Sequence, residues 1–393
     1  MPISDNHIEI ISSLAEVNPA QWNALNHEHS PFLRHEFLIA LENNEAVGER
    51  FGWLPRFVMM YDSNEELIGA MPLYEKDNSY GELVFDWAWA DAYQRHGLPY
   101  YPKLVSAIPY TPATGHRLLN KNNDPEIRKQ LVEYALIYCA DKNYSSLHCL
   151  FPIDDQLALM QAAGMSTRTD IQYHWHNRDY KDFTDFLSRL RNKKRKKIKQ
   201  ERRKVNESNV EFRISHGNEL LEDEWIDVHR FYAMTFAQKS GYATLNLGFW
   251  QEVGKTMGEQ IVIVMAYLND RPIACAINFR SDNALYGRHW GCDPTVGWDI
   301  SGLHFETCYY QGIEYAIKHK LKRFEPGAQG EYKMSRGFEP SITYSAHWIS
   351  HPEFRDAINQ FLEREGRAIE DYQQTLAASS PYKDISNGGK TIS

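Results

Sequence analysis

The chain has few of the features that mark common enzyme classes. It contains no G-x-S-x-G and no P-loop, so a serine hydrolase or a P-loop NTPase is not expected. His27, Glu28 and His29 are followed by Ser30, which breaks any H-E-x-x-H zinc motif. The five cysteines (Cys139, Cys149, Cys275, Cys292 and Cys308) are scattered, odd in number and free of any CxxC pair. That argues against a disulfide framework or a zinc site and for a reducing, cytoplasmic setting. No run approaches the roughly 18 apolar residues of a membrane span. The start, MPISDNHIEIISSL, lacks the basic and apolar regions of a secretory leader. Asp154-Asp155 reads as a solvated loop, and no metal is expected.

What is present is ordinary in bulk and unusual in place. The 393 residues are 42% hydrophobic and 24% charged, with a formal net charge of −9. That length predicts two domains. Aromatics reach 13%, enough for large cores or an aromatic-lined cleft. Against the acidic balance stands RNKKRKKIKQERRK, Arg191 to Lys204, with ten Lys or Arg and one Glu. Without it the chain holds 33 basic against 51 acidic residues. Phe183, Leu187, Leu190, Ile198 and Val205 recur at helical spacing, so residues 182–206 are predicted as one long helix, apolar on a narrow side. Its charges would meet phosphates, such as a tRNA backbone, or an acidic surface of the same protein.

Other elements follow from periodicity. SPFLRHEFLIALE predicts a helix capped by Ser30 with Pro31 in its first turn. Phe57–Tyr61 and Leu67–Tyr74 read as strands around a polar turn. Residues 85–112 read as aromatic, proline-rich loops and short strands. EIRKQLVEYALIYCADKN is a helix and SSLHCLFP a buried strand. EWIDVHRFYAMTFAQKSGY is a further helix. IVIVMAYLNDRPIACAINFRSDNALYGRHWGC gives three strands, SGLHFETCYYQGIEYAIKHK a helix, KRFEPG a strand, and Phe354–Tyr372 a last helix. MMYDSNEELIGAMPLY and MAYLNDRPIACAINFR share the pattern strand, polar turn, strand, which suggests a duplicated α/β unit.

GAQGEYKMSRGFEP, LHFETCYYQGIEYAI, FDWAWADAYQRHGLPYYPKLVSAIPYTP and the basic helix together resemble a bacterial family of predicted N-acyltransferases, often called FemAB-like or peptidoglycan biosynthesis/recognition proteins. The resemblance runs over roughly residues 30 to 350. It implies an α/β (α+β) fold: tandem GNAT-like domains with mixed central sheets flanked by helices, joined by a long basic helix. The expected divisions are residues 1–180 (acceptor groove), 181–206 (basic linker helix), 207–350 (reaction centre) and 351–393 (helix and polar tail). It also implies transfer of an acyl or aminoacyl group to an amine, with acyl-CoA or aminoacyl-tRNA as donor. CDPTVGWDISGLHFE departs from the (Q/R)xxGx(G/A) phosphate loop of acetyl-CoA enzymes, although Gly297 and Gly302 are present. No firm cofactor is therefore expected.

The candidate residues follow from chemistry. Arg288 lies between aromatics in ALYGRHWGC. In a strand, Tyr286, Arg288 and Trp290 would face one way and Leu285, Gly287 and His289 the other. Arg288 and Trp290 are candidates to hold a phosphate or carboxylate, or to form a cation–π stack. Glu306, near His304 at the start of its helix, and His289 are candidates to accept the amine proton; Glu306 would otherwise complement the helix dipole. Gln329 and Lys333, with Glu331 and Arg336, fill the glycine-rich GAQGEYK segment, which reads as a cleft edge or as a charged turn. Asp86, Trp89 and Lys103 read as a sugar or peptide groove, or as a packed aromatic loop. A non-catalytic binding protein for a polyanion or a cell-wall precursor is the alternative to an enzyme.

Overall fold

The computed structural model describes residues 6–26, 29–238, 241–297, 299–328 and 330–383. The chain forms two compact units whose segments interleave. Unit 1 takes Met1–Asp170, Thr244–Met257 and Ile342–Glu370; unit 2 takes Ile171–Ala243, Gly258–Ser341 and Asp371–Ser393. Among the described residues no helix is long and apolar enough to cross a membrane.

In chain order the strands are β1 (His7–Ile11), β2 (Trp53–Pro55), β3 (Phe57–Tyr61), β4 (Leu67–Met71), β5 (Tyr74–Lys76), β6 (Lys103–Ser106), β7 (Leu119–Asn120) and β8 (Ser146–Leu150). There follow β9 (Ser166–His176), β10 (Glu211–His216), β11 (Ile261–Leu268), β12 (Arg271–Arg280), β13 (Ala284–Cys292), β14 (Arg323–Glu325) and β15 (Glu339–Ile349). The helices begin with α1 (Pro19–Asn23), α2 (His35–Asn43), α3 (Trp87–Arg95), α4 (Pro125–Asp141), α5 (Asp154–Ala162) and α6 (Phe183–Arg189). They continue with α7 (Asn192–Glu207), α8 (Glu222–Gln238), α9 (Leu247–Thr256), α10 (Leu303–Phe305), α11 (Gln311–Lys318) and α12 (Pro352–Ala378).

Unit 1 holds an antiparallel sheet in the order β1-β3-β4-β7 and a second run β15-β8-β6-β5-β2. In the second run only β6 and β8 are parallel. Its core joins Val58, Met60 and Met71 to Leu131, Ala135 and Cys139 of α4, whose apolar residues recur every three or four positions. Asp124 caps α4 by accepting from the Glu126 amide at 2.8 Å, and Pro125 occupies the first turn, where its missing N–H costs nothing. Helix α9 joins this unit: Glu252 accepts from Asn43 and Asn44 at 2.8 and 2.7 Å, and Phe249 meets Phe37 edge-on.

Unit 2 carries the sheet segment β10-β11-β12-β13-β14-β9, antiparallel except for β13 and β14. The β11–β12 hairpin turns on Asn269 and Asp270, both with positive φ, as a two-residue loop requires. This hairpin and β3–β4 are the two halves of the sequence echo, and both form as antiparallel pairs.

Four expectations change. Ser30 starts only a 3-10 turn at Pro31–Leu33, and α2 proper begins at His35. Residues 87–95 are helical, not loop, because Trp89 and Tyr93, four apart, bury one side. Asp154 and Asp155 form the first turn of α5 rather than a loop. The basic segment is two helices: Leu190 is extended and fully buried, bridging Tyr382, and the Arg191 amide donates to the Pro381 carbonyl.

Candidate active site

Parallel pairing of β13 and β14 lasts three residues: Ala284, Leu285 and Tyr286 oppose Arg323, Phe324 and Glu325. Strand β13 then continues, while β14 ends and the chain leaves through Pro326 and Gly327. The gap between them is a cavity of about 370 Å³. Gly287 stands where the strands part; a Cβ there would lie 3.2 Å from the Pro326 Cα, so close approach depends on its bare backbone. Opposite β12 the register slips between Ile277 and Asn278, which makes Arg288 the extra residue of a bulge. A bulge frees a residue from the ladder and re-aims its side chain. The strict alternation expected for 285–290 is broken there, and Gly287, Arg288, His289 and Trp290 all line the cavity.

Helix α8 forms a second wall with Thr235 and Phe236. It lies directly on β13, for a Cβ on Gly291 would fall 1.9 Å from the Phe231 carbonyl oxygen. The Thr235 hydroxyl donates to the Trp290 carbonyl. The Tyr232 ring meets His289 edge-on at 4.7 Å. Burial, with the charge of Arg288, holds His289 well below the ordinary imidazole range, so it is neutral at pH 7. Burial also pulls Arg288 down to about 10, which leaves it cationic. The Trp290 indole N–H is buried without a partner among the described residues.

A third wall comes from the helical segment after Gly302, which takes a left-handed φ of 97°. Helix α10 passes into a π-helical turn, Glu306–Tyr310, before α11. Such a turn adds a residue and shifts the helical register, often at functional sites. His304, Cys308 and Tyr309 line the cavity. A fourth wall is the turn Glu331–Arg336, which supplies Tyr332 and Lys333. Lys333 is 2% exposed, its Nζ donates to the Gly327 carbonyl at 2.6 Å, and burial lowers it to about 8. Arg336 secures this turn. It donates to Glu201 at 2.8 and 3.2 Å and to the Tyr332 carbonyl at 2.8 Å, and it covers the Phe305 ring.

Residues 13–384 match the FemAB-like family, described as peptidoglycan biosynthesis/recognition. The chain belongs to this family. No curated protein matches it. Among solved structures it resembles FemX with a TM-score of 0.52 at 8% identity, over 88% of this chain and 99% of that one. It resembles the C-terminal DUF2156 domain of an Agrobacterium fabrum protein provisionally assigned as a lysylphosphatidylglycerol synthetase (0.53, 7%, 88% and 95%). L-PGS from Bacillus licheniformis follows (0.50, 11%, 86% and 97%). This FemAB-like protein therefore has the mixed α/β fold that its motifs implied, shared with FemX.

Of the residues singled out from the sequence, Arg288, His289, Trp290 and Lys333 meet around one cavity. Gln329 lies outside the described residues. Glu306 does not line the cavity. It is 2% exposed and accepts from Arg202 at 2.9 and 3.1 Å and from Gln311 at 2.8 Å; burial raises its pKa and Arg202 opposes the rise. These contacts anchor the basic helix.

Asp86, Trp89 and Lys103 form no groove. Lys103 is fully buried and donates to Ser79 at 2.9 Å, to Glu82 at 2.8 Å and to Asp86. Tyr100 donates to Asp86 at 2.6 Å, and Trp89 packs on His347. In this sealed cluster Glu82 rises to about 7 through burial, whereas Lys103 and a near histidine hold Asp86 well below the carboxylate range against its burial.

The sequence missed Phe236, Asn278, Tyr309 and Tyr332, which also line the cavity. The spacing of Phe231 and Thr235 on α8 marks that helix side but not what it faces. At the divergent phosphate loop, Asp293 accepts from the Thr295 amide and hydroxyl at 2.9 and 2.6 Å and pairs with Arg271 at 3.0 Å. An acidic group thus occupies that turn. Among the described residues no His, Cys, Asp or Glu cluster has the makings of a metal site.

The basic helix α7 is docked by its few exceptions. Ile198 and Val205 are buried, Glu201 binds Arg336, and Arg202 binds Glu306 and Glu314. Lys193, Lys196, Lys199 and Lys204 remain exposed, with no ion pair among the described residues. Burial and the charges of Lys197, Lys193 and Arg191 push Lys194 below its ordinary value, the mark of mutual repulsion.

Proposed function

We propose that this FemAB-like protein is an N-acyltransferase or aminoacyltransferase, with its reaction centre in the β13–β14 cavity of unit 2. The observation that carries the reading is the parting of these two strands into an aromatic-walled gap with Lys333 in its lining. Seating an amine against an activated carbonyl in such a gap can supply on the order of 7 kcal/mol through alignment alone. The Lys333 ammonium is suited to stabilise the carbonyl oxygen as it becomes an oxyanion. Arg288 orients an anionic part of a substrate. Neutral His289 is an acceptor for the amine proton, directly or through water.

The family description supports a peptidoglycan precursor as the amine acceptor. The unpaired lysines of α7 support a phosphate-bearing donor such as aminoacyl-tRNA over a small acyl-CoA, and the acidic Asp293 turn points the same way. Both donors are made in the cytoplasm, where the reaction would run. The test is single-turnover transfer to a peptidoglycan precursor with aminoacyl-tRNA and, separately, acyl-CoA. Lys333→Met is expected to lower the rate about 10²-fold while donor binding and fold persist. Unchanged turnover in Lys333→Met, with loss only on removing the α7 charges, would leave a non-catalytic polyanion-binding protein as the better account.

A further inference from the structure

The turn that carries Lys333 does little to fix its own place. Its backbone bonds run from the Lys333 amide to the Gly330 carbonyl at 3.1 Å and from the Gly337 amide to the Met334 carbonyl at 3.3 Å. Bonds of this 3-10 kind have poor geometry and sustain only short pieces. The turn is therefore held from outside. Arg336 ties it to α7 through Glu201. Its two ends are tied to another segment, residues 371–383, which shares unit 2 with the turn. Tyr372, near the end of α12, donates its hydroxyl to the Glu331 carboxylate at the start of the turn. Tyr382, ten residues on, donates its hydroxyl to the Gly337 carbonyl at the far end, at 2.7 Å. Between them Leu376 shares a buried cluster with Met334 and Phe338.

Tyr382 is a fixed post. It is 4% exposed, and the Arg178 guanidinium lies over its ring at 4.1 Å. The chain on both sides of it is fastened to the break between α6 and α7. The Arg191 amide donates to the Pro381 carbonyl at 2.9 Å, the Lys383 amide to the Arg189 carbonyl at 3.0 Å, and the Arg191 Nε to the Tyr382 carbonyl at 2.9 Å. What its hydroxyl holds is held firmly. Resting on the acyltransferase reading of the same cavity, we infer that Tyr372 and Tyr382 are positioning residues for the reaction centre. Their rings pack, and their hydroxyls bracket residues 331–337. The bracket keeps Lys333 against the Gly327 carbonyl and Tyr332 in the cavity wall. Neither tyrosine lines the cavity; both act through the turn. A misplacement of about 1 Å at such a group can cost about 10²-fold in rate. The segment 371–383, which reads in the sequence as helix end and polar tail, is on this account a working part of the site.

Tyr372→Phe and Tyr382→Phe remove one hydroxyl each and keep the rings. The test reads the turn itself in the full chain, by hydroxyl-radical oxidation of Met334 and by hydrogen exchange over residues 331–338. Met334 is buried, as is Met265 on β11 of the same unit, which serves as the control. Each variant should speed Met334 oxidation and exchange in 331–338 at least about fivefold while Met265 and β11–β13 stay as in the parent, the pattern of a local opening. The double variant should exceed either. In steady-state transfer, kcat should fall about tenfold with KM within about twofold, because Lys333 acts on the transition state. If Tyr382→Phe does not fold, Tyr372→Phe, at a half-buried site, still decides. Unchanged Met334 in a folded variant overturns the inference. So does a rise shared by Met265, which marks loosening of the whole unit, and so does full turnover in variants whose turn has opened. An opened turn in the variants, with no transfer by the parent, sinks the acyltransferase reading alone.

Discussion

Each unit contains a parallel strand pair, and the two pairs end differently. In unit 1, β6 and β8 run together over Leu104–Ser106 and Leu147–Cys149, part, and meet again at Gly115 and Pro152. Two residues past Gly115, buried Arg117 donates to the carbonyls of Leu150, Ala113 and His116, each at 2.8 Å, tying the departing chain back. The polar groups on that sheet, Lys103, His148 and His347, are matched to Asp86, Ser146 and Ser345. In unit 2, β13 and β14 part after three residues without meeting again among the described residues. There the polar groups face a gap. The same strand arrangement is closed where a buried side chain ties the departing chain back to the sheet, and open where the two strands simply part.

The largest expected effect tests the closed side. Lys103→Met leaves Glu82 and Asp86 buried without their shared cation, and should cost about 3–5 kcal/mol in urea unfolding. A loss below about 1 kcal/mol would mean the cluster is reached by water and the contrast is false. Next is the open side. Gly287→Val pushes branched carbon against Pro326 where the strands part and should cost about 1–3 kcal/mol. It should also reduce transfer or ligand binding more than tenfold; retained binding would move the site elsewhere. The smallest concerns Glu306, which separates anchoring from chemistry. Glu306→Gln should lower stability by about 1–2 kcal/mol through the weakened Arg202 contact. Its turnover should stay within about threefold of the parent, and a hundredfold loss would return Glu306 to the reaction.

The sequence made some of this legible and not the rest. The hairpins β3–β4 and β11–β12, the buried strand β8 and the helix α4 follow from apolar runs and spacing. Strands β9 and β15 leave little trace because their buried positions include Gln172, His174, Thr343, Ser345 and His347, which read as surface until their partners are known. Helix α3 hides among aromatics that suit loops equally well. Arg288, His289, Trp290 and Lys333 were recognisable as chemistry out of place in apolar strands and glycine-rich turns. Glu306 shows what spacing leaves open. Helical spacing assigns it to a buried side, but only coordinates tell which neighbour, Arg202 or a ligand, that side meets. The break at Leu190 is equally invisible, since its partner lies nearly 200 residues later at Tyr382.

The interleaving of segments bears on how the chain is born. On the ribosome, the first 170 residues emerge long before α9 and β15, which complete their unit. Until synthesis passes residue 349, one edge of β8 has no strand beside it, and the histidine that joins His148 does not yet exist. The nascent N-terminal half must wait, unfinished, for its own ending, and a gene cut after residue 170 would leave unit 1 without α9 and β15.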